Sequence, residues 1–331
     1  MEKVLAIVIP VAAVLCLLLI IGAVIYWGAL TRNGLEFVKR VASSKSRRRG
    51  RNPDRWAKYR RYPDYACEKL IETDLESHSD SIRGSVIVKN KDGENCHGYI
   101  YELKPDNRKW AVVCHGYSSS PGGMGHIALY YRDMGFNVIV PSMRGHGENE
   151  HSKITMGYKD KDDLVAFTKY IVERQPDAEI VIHGVSMGAV TVMLATGEED
   201  LPANVKCAVS DCGFAYAYKE FRHKAKQMVG FLSAPAVFLI SFYLKLNCGF
   251  TLKDINPADA VKKSKTPTLF VHGTADDFIP FEVVYDNYNN CAAEKELVPF
   301  EGAAHGDSSK DYYKEYFEKV TEFTEKYISK K

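Results

Sequence analysis

The chain of 331 residues is 46% hydrophobic and 26% charged, with 24 glycines and 13 prolines. That composition excludes a disordered chain, a collagen-like repeat and a small disulfide scaffold, and it suits one large α/β domain with an appendage. The formal charge of +2 argues against a nucleic-acid partner, yet it averages two unlike regions. Residues 32–70 hold thirteen basic against four acidic side chains, while the chain beyond residue 70 holds 30 basic against 37 acidic, so the body is mildly acidic.

From Val4 to Thr31 no residue is charged. At roughly 1.5 Å per residue the run is about 40 Å long, enough to cross a hydrocarbon core of about 30 Å with some tilt. Residues 1–31 are therefore read as a retained transmembrane anchor. The run exceeds the apolar core of a signal peptide, and no small-residue cleavage pattern follows it. Tyr26 and Trp27 suit an interfacial aromatic belt. Seven basic residues from Arg32 to Arg49, against Lys3 on the other side, place the body on the cytoplasmic face of the cell membrane, where the basic stretch also suits anionic headgroups. Arg47, Arg48 and Arg49 are read as part of this topology signal rather than as a nucleic-acid patch. Cys16 lies in the apolar run; the other seven cysteines are scattered without a C-x-x-C pair, which argues against a disulfide framework and a zinc site and favours a reducing compartment.

Residues 32–80 read as a polar, basic connector with Pro53, Pro63 and some helical pattern, and residues 81–331 as the globular domain. Strand-like runs follow at 84–90, 97–104, 110–116, 136–142, 179–185, 205–211, 266–273 and 296–300. Helical patterns lie between the later ones, at 122–135, 158–175 and 187–199, and close the chain from 309; the aromatic residues of that last helix have helical spacing and read as packing. The alternation predicts a mostly parallel sheet flanked by helices, with two antiparallel hairpin strands at its front. In such sheets the loops at the carboxyl ends of the strands carry the chemistry.

One of those loops reads Gly184-Val185-Ser186-Met187-Gly188 between a strand and a helical run. G-x-S-x-G in that context is a nucleophile elbow, in which a sharp turn lifts the serine hydroxyl clear of the sheet and small flanking residues avoid collision; a serine merely capping the helix is the blander reading. The base and its orienting acid should follow in the order Asp or Glu, then His. Asp276, after the strand TPTLFVHG, and His305, after ELVPF, stand in that order. Asp277 and Asp211 are rival acids; Asp276 is favoured by its place at a strand end. The oxyanion donors expected are the backbone N–H groups of Met187 and Tyr117. His115 reads as a structural hydrogen-bonder beneath the Tyr117 loop.

With HGY, PSMRGHGENE, HGVSMGA, HGTADDFIP and GAAHG in that order, the chain from about 84 to 329 resembles the α/β-hydrolases, close to esterases, lysophospholipases and serine aminopeptidase-like proteins. The resemblance implies an eight-stranded sheet, the triad Ser186, Asp276 and His305, and no cofactor. The loop after Gly147 carries Glu148, Asn149 and Glu150 where the family's usual pattern has a serine, which touches no catalytic role. Between the Asp211 and Asp276 strands, residues 213–262 form a lid-sized insertion with an apolar run from Val229 to Leu246 broken by Pro235. It reads as a helical cap over the Ser186 pocket rather than a second span, and favours a small-molecule or lipid ester with an apolar acyl group. The expectation is thus a membrane-anchored serine hydrolase of esters or thioesters. An amidase or peptidase, an acyltransferase, and a non-catalytic lipid-binding membrane protein are the alternatives.

Overall fold

The computed structural model describes residues 16, 19–48, 82–102 and 107–329. Most of the first half of the expected anchor, and the connector from 49 to 81, lie outside them.

Eight strands form one sheet: β1 (Ile82–Lys89), β2 (Asn95–Glu102), β3 (Lys109–Cys114), β4 (Asn137–Pro141), β5 (Glu179–Val185), β6 (Val205–Asp211), β7 (Thr268–Gly273) and β8 (Lys295–Phe300). Their order across the sheet is β1-β2-β4-β3-β5-β6-β7-β8. β2 runs antiparallel to both β1 and β4, and every later pairing is parallel. The strand apolar runs are continuous because the sheet is covered on both faces, and alternate side chains go to opposite layers. Val112, Cys114, Ile180 and Ile182 join one core, while Ala111, Val113 and Val181 join the other.

The second layer is closed by α3 (Gly125–Asp133) and the last helix, α9 (Tyr313–Thr324), through Ile127, Tyr131, Tyr316, Phe317 and Val320. The first is closed by α4 (Asp160–Arg174) and α5 (Met187–Thr196), the latter wholly buried and without a charged residue. α8 (Val283–Asn290) bridges β7 and β8, a helix the sequence reading did not assign. The insertion supplies the cap as α6 (Ala217–Val229) and α7 (Ser233–Cys248).

At the amino end, α1 (Leu19–Leu30) and α2 (Arg32–Arg48) meet at Thr31, which bridges to Lys153. The Ile154 N–H donates to the Leu30 carbonyl at 3.0 Å and the Arg32 N–H to the Ser152 carbonyl at 2.8 Å. Arg32 also donates through its guanidinium to the carbonyls of Asn149 and His151, and Leu35 is buried. The start of the stretch read as a connector is thus tied to the domain.

Parallel register brings the carboxyl ends of the central strands level: Cys114 faces Gly184, Val185 faces Asp211 and Asp211 faces Val271. The loops that follow, carrying His115 to Tyr117, Ser186, Cys212 and Asp276, therefore share one edge of the sheet.

Candidate active site

Between β5 and α5 the backbone reverses within one residue. Ser186 has φ 57° and ψ −116°, a region costly for a residue with a Cβ. The turn is held because the Ser186 N–H donates to the Asp211 carbonyl at 2.8 Å, while its own carbonyl accepts from Val190 and starts α5. Its neighbours have no room for a side chain: a Cβ on Gly184 would lie 2.1 Å from the Gly188 carbonyl oxygen, and one on Gly188 would lie 2.1 Å from that of Cys114. The two glycines of the motif are thus set by backbone-to-backbone approach.

The raised serine meets His305. Ser186 Oγ lies 2.8 Å from His305 Nε2, and His305 Nδ1 lies 2.7 Å from Asp276 Oδ2. Asp276 is anchored from every side: Oδ1 accepts the backbone N–H groups of Phe278 and Ile279 at 2.9 and 2.8 Å, and His272 Nε2 approaches Oδ2 at 3.2 Å while donating to the Ile279 carbonyl at 2.9 Å. Burial by itself would raise this carboxyl, but the hydrogen bonds from His272 and His305 outweigh it and hold Asp276 below the usual carboxylate range. An ionised Asp276 requires the proton on His305 Nδ1, which leaves Nε2 free to accept from the serine.

The rival acids are placed elsewhere. Asp277 is exposed, and its backbone carbonyl accepts from Lys224 Nζ at 2.9 Å. Asp211 is fully buried, and its Oδ2 accepts from Tyr316 Oη at 3.0 Å. Tyr316 Oη in turn meets His183 Nε2 at 2.9 Å, and His183 Nδ1 meets Tyr131 Oη at 3.1 Å. Burial pushes Asp211 up to about 6, against the bond from Tyr316. The chain from Tyr131 to Asp211 lies under the elbow and supports it from below.

Met187 is the first residue of α5, so its N–H belongs to the helix end that lacks an intrahelical acceptor. The loop carrying Tyr117 lies on the other flank of the serine, where a Cβ on Gly116 would stand 3.2 Å from Ser186 Cβ. His115 sits beneath that loop. Its Nδ1–H donates to the Gly116 carbonyl at 2.9 Å and its Nε2 accepts the Met143 N–H at 3.1 Å. Burial pushes it down to about 3, so it is a neutral structural group. His146 holds the next residue, accepting the Ser118 N–H at 3.1 Å.

Three features were not legible beforehand. Tyr117 Oη donates to the Ala29 carbonyl at 2.7 Å, which ties the loop after β3 to the end of α1. His272 braces the acid. Glu220 is only 8% exposed in the first turn of α6, and its Oε1 has no hydrogen-bond partner among the described residues. One turn along the same helix face, Lys224 lies 4.7 Å from the centroid of the Phe278 ring, which packs 4.9 Å from the ring of His305. Burial pushes Glu220 up to about 7, with the nearby Lys224 acting against it. A carboxylate in a basic amphipathic helix reads in sequence as a solvated charge, which is why it carried no signal.

The prolyl oligopeptidase family model matches residues 124–331. The chain is 25% identical over 250 residues to the uncharacterized protein YqkD of Bacillus subtilis, covering 75% of this chain and 81% of that one. It is 24% identical over 247 residues to the protein bem46 of Schizosaccharomyces pombe, covering 72% and 75%. Among solved structures, the Pyrococcus furiosus esterase Pf2001 superposes with a TM-score of 0.63 at 21% identity, over 80% of this chain and 96% of that one. The acylaminoacyl peptidase of Pyrococcus horikoshii superposes at 0.56 with 19% identity, over 78% of this chain and 43% of that one. With nearly two thirds of its length inside that family model and an eight-stranded sheet of the matching fold, the chain belongs to the prolyl oligopeptidase family and is an α/β-hydrolase of the serine hydrolase class.

Proposed function

We propose that the protein hydrolyses carboxylic esters or thioesters with an apolar acyl group, through an acyl-enzyme on Ser186. The observation that carries this reading is the unbroken line from Ser186 Oγ through His305 to Asp276 at 2.8 and 2.7 Å. Ser186 Oγ attacks the carbonyl carbon as His305 Nε2 takes its proton. The oxyanion that forms receives the N–H groups of Met187 and Tyr117. His305 then returns the proton to the leaving oxygen or sulfur, and the acyl group remains on Ser186. Water repeats the sequence: His305 takes a proton from it, the hydroxide oxygen adds to the acyl carbon, and Ser186 leaves with its proton restored. Asp276 stays ionised throughout and stabilises the imidazolium.

The apolar cap supports an ester with a greasy acyl group. The family description and the acylaminoacyl peptidase likeness favour amide cleavage as the second reading. Residues 4–31 are proposed to anchor the chain in a membrane, with the domain on the cytoplasmic side; the uncharged run and the basic residues after it support this.

The deciding experiment is hydrolysis of p-nitrophenyl esters from acetate to palmitate by the full chain in detergent, beside aminoacyl and acylaminoacyl p-nitroanilides, with Ser186→Ala in parallel. Ester turnover lost in Ser186→Ala is the expected result, and the chain-length optimum sizes the acyl site. Anilide turnover well above ester turnover would move the function to peptide substrates. Neither turnover nor fluorophosphonate labelling at Ser186 would refute the catalytic reading and leave a lipid-binding role.

A further inference from the structure

α7 is apolar apart from Ser233, Ser241 and, in its last turn, the exposed Lys245 and Asn247, yet the domain covers only one of its sides. Val237, Ile240 and Leu244, three and four residues apart, are buried against the domain. Phe238, Phe242 and Leu246 recur every four residues on the opposite face and stand open, with Phe238 and Leu246 65% and 64% exposed. The last turn of α6 and the turn after it add the exposed Met228 and Phe231, the latter 90% exposed. Single exposed apolar side chains are ordinary; a contiguous run of large ones marks a surface that meets another apolar medium.

The flank of this face identifies the medium. α1 lies along α7: a Cβ on Gly22 would come 2.8 Å from Leu239 Cβ, the Tyr26 and Tyr243 rings stack at 6.0 Å, and Tyr243 Oη donates to the Leu19 carbonyl at 2.9 Å. Leu239 and Tyr243 lie between the buried and the open stripes of α7, so α1 borders the open one. α1 has its own outward apolar residues in Ile20, Val24 and Trp27. The chain leading into it has no charge from residue 4 onward. At the other end, the Trp27 ring meets Phe37 of α2 at 5.7 Å, and exposed Lys39 follows on that helix, as Arg222 and Lys226 do on α6.

We propose that the outer face of the cap is seated in the headgroup and acyl boundary of the bilayer that holds the amino-terminal segment. The inference rests on the anchor part of the proposed function. The helical stretch Ala217–Cys248 is long and apolar enough in composition to cross a membrane. It does not lie across one, because α6 carries Lys219, Arg222, Lys224 and Lys226 and because Val237, Ile240 and Leu244 are committed to the domain. The geometry is that of an interfacial helix beside a spanning one. Since α6 borders the Asp276 to Phe278 loop and His305, the catalytic edge then opens at the membrane surface. The substrate class that fits is an amphiphile whose acyl chain already resides in the bilayer.

The test uses the full chain in lipid nanodiscs containing phosphatidylserine. Cys16→Ser and Cys67→Ser remove the sulfhydryls outside the domain, and an environment-sensitive fluorophore is attached at Phe231→Cys, Phe238→Cys or, as a control on α9, Lys314→Cys. Nitroxide-labelled lipid is expected to quench positions 231 and 238 and to leave 314 bright, with iodide showing the opposite order. Equal iodide access at all three positions, with the chain retained in the disc, would overturn the cap placement and leave the anchor standing. Shielding from iodide without quenching by nitroxide lipid would overturn it too, by assigning the face to a protein contact such as a second copy. Extraction of the chain from membranes by alkaline carbonate would overturn the anchor reading and this inference together. Phe231→Glu with Phe238→Glu is expected to slow a vesicle-embedded long-chain ester by about tenfold or more, through loss of apolar burial, while a soluble acetate ester changes by less than about twofold. An equal loss on both substrates would count against the proposal.

Discussion

Replacing Glu220 with glutamine tests whether a buried carboxyl, without a hydrogen-bond partner among the described residues, sits beside Asp276 and His305. Glu220 is 8% exposed, Oε1 has no hydrogen-bond partner among the described residues, and burial moves the group from 4.5 to about 7. The folded state therefore holds a proton that the unfolded chain releases near 4.5. The stability linked to that proton is fully present below about 4.5 and is lost as pH rises through about 7. At about 1.4 kcal/mol per pK unit, the loss by pH 8 is about 3 kcal/mol. Glutamine mimics the protonated carboxyl and does not titrate, so Glu220→Gln should match the parent at pH 4.5 and exceed it at pH 8. For a domain of this size about 1 kcal/mol corresponds to roughly 2–4 °C, so a gain of roughly 6–12 °C in Tm is expected at pH 8. The assay is thermal unfolding of both proteins in one detergent across pH 4.5 to 8. A Tm difference that does not change with pH, or a glutamine variant no more stable than the parent at pH 8, would refute the burial argument.

Asp276→Asn keeps the size of the acid but presents an amide where His305 Nδ1–H needs an acceptor; ester turnover should fall by roughly 10³–10⁴ in kcat with KM little changed, whereas Asp277→Ala should stay within about twofold of the parent because that side chain faces solvent. Gly188→Ala places a methyl 2.1 Å from the Cys114 carbonyl oxygen; soluble yield and Tm should both drop, by an equivalent of more than about 3 kcal/mol. Tyr117→Phe removes the bond to the Ala29 carbonyl and leaves the backbone donor in place. Steady-state kinetics should show kcat reduced by about tenfold or less, below the roughly 10²–10³ that loss of a whole oxyanion donor costs, and an unchanged kcat would show that the loop holds its geometry without α1.

The elbow and the order of its partners were legible because their causes are local. A glycine is needed wherever backbones approach within about 3 Å, and parallel strands with matched register must bring their carboxyl ends together, so Ser186, Asp276 and His305 could be placed from the strands before them. Contacts between distant parts of the chain were less accessible. In α8 the segment VVYDNYNN has the composition of a loop; only the burial of Val284 and the bond from Asn287 Nδ2 to the Gly213 carbonyl at 3.2 Å show why it is helical. Arg32 and Leu35 read as part of a charged connector because nothing in one sequence says that residues 149–154 wait to pair with them. The apolar run before them stood out by composition alone, with no indication of which face turns toward the cap.

That last contact changes what the amino-terminal segment is. A tether would leave the domain indifferent to its removal. Here Tyr26 and Leu30 are 5% and 1% exposed, Tyr26 stacks on Tyr243 of the cap, and the Ala29 carbonyl accepts from Tyr117 Oη. Burial of two such side chains stabilises by about 2 kcal/mol each, an upper figure because the unfolded chain already covers part of them. Leu30 adds a backbone bond from the Ile154 N–H, worth about 1 kcal/mol net. Deleting residues 1–31 should therefore lower the Tm of the remaining chain by up to roughly 10–20 °C, on the scale of about 2–4 °C per kcal/mol. It should also raise the protease sensitivity of α7, whose flank along Leu239 and Tyr243 would be uncovered. Limited proteolysis and thermal unfolding of the shortened and full chains in one detergent measure both. If the shortened chain kept its Tm and its cleavage pattern, α1 would be a passive leash, and its support of the Tyr117 loop would fall with it.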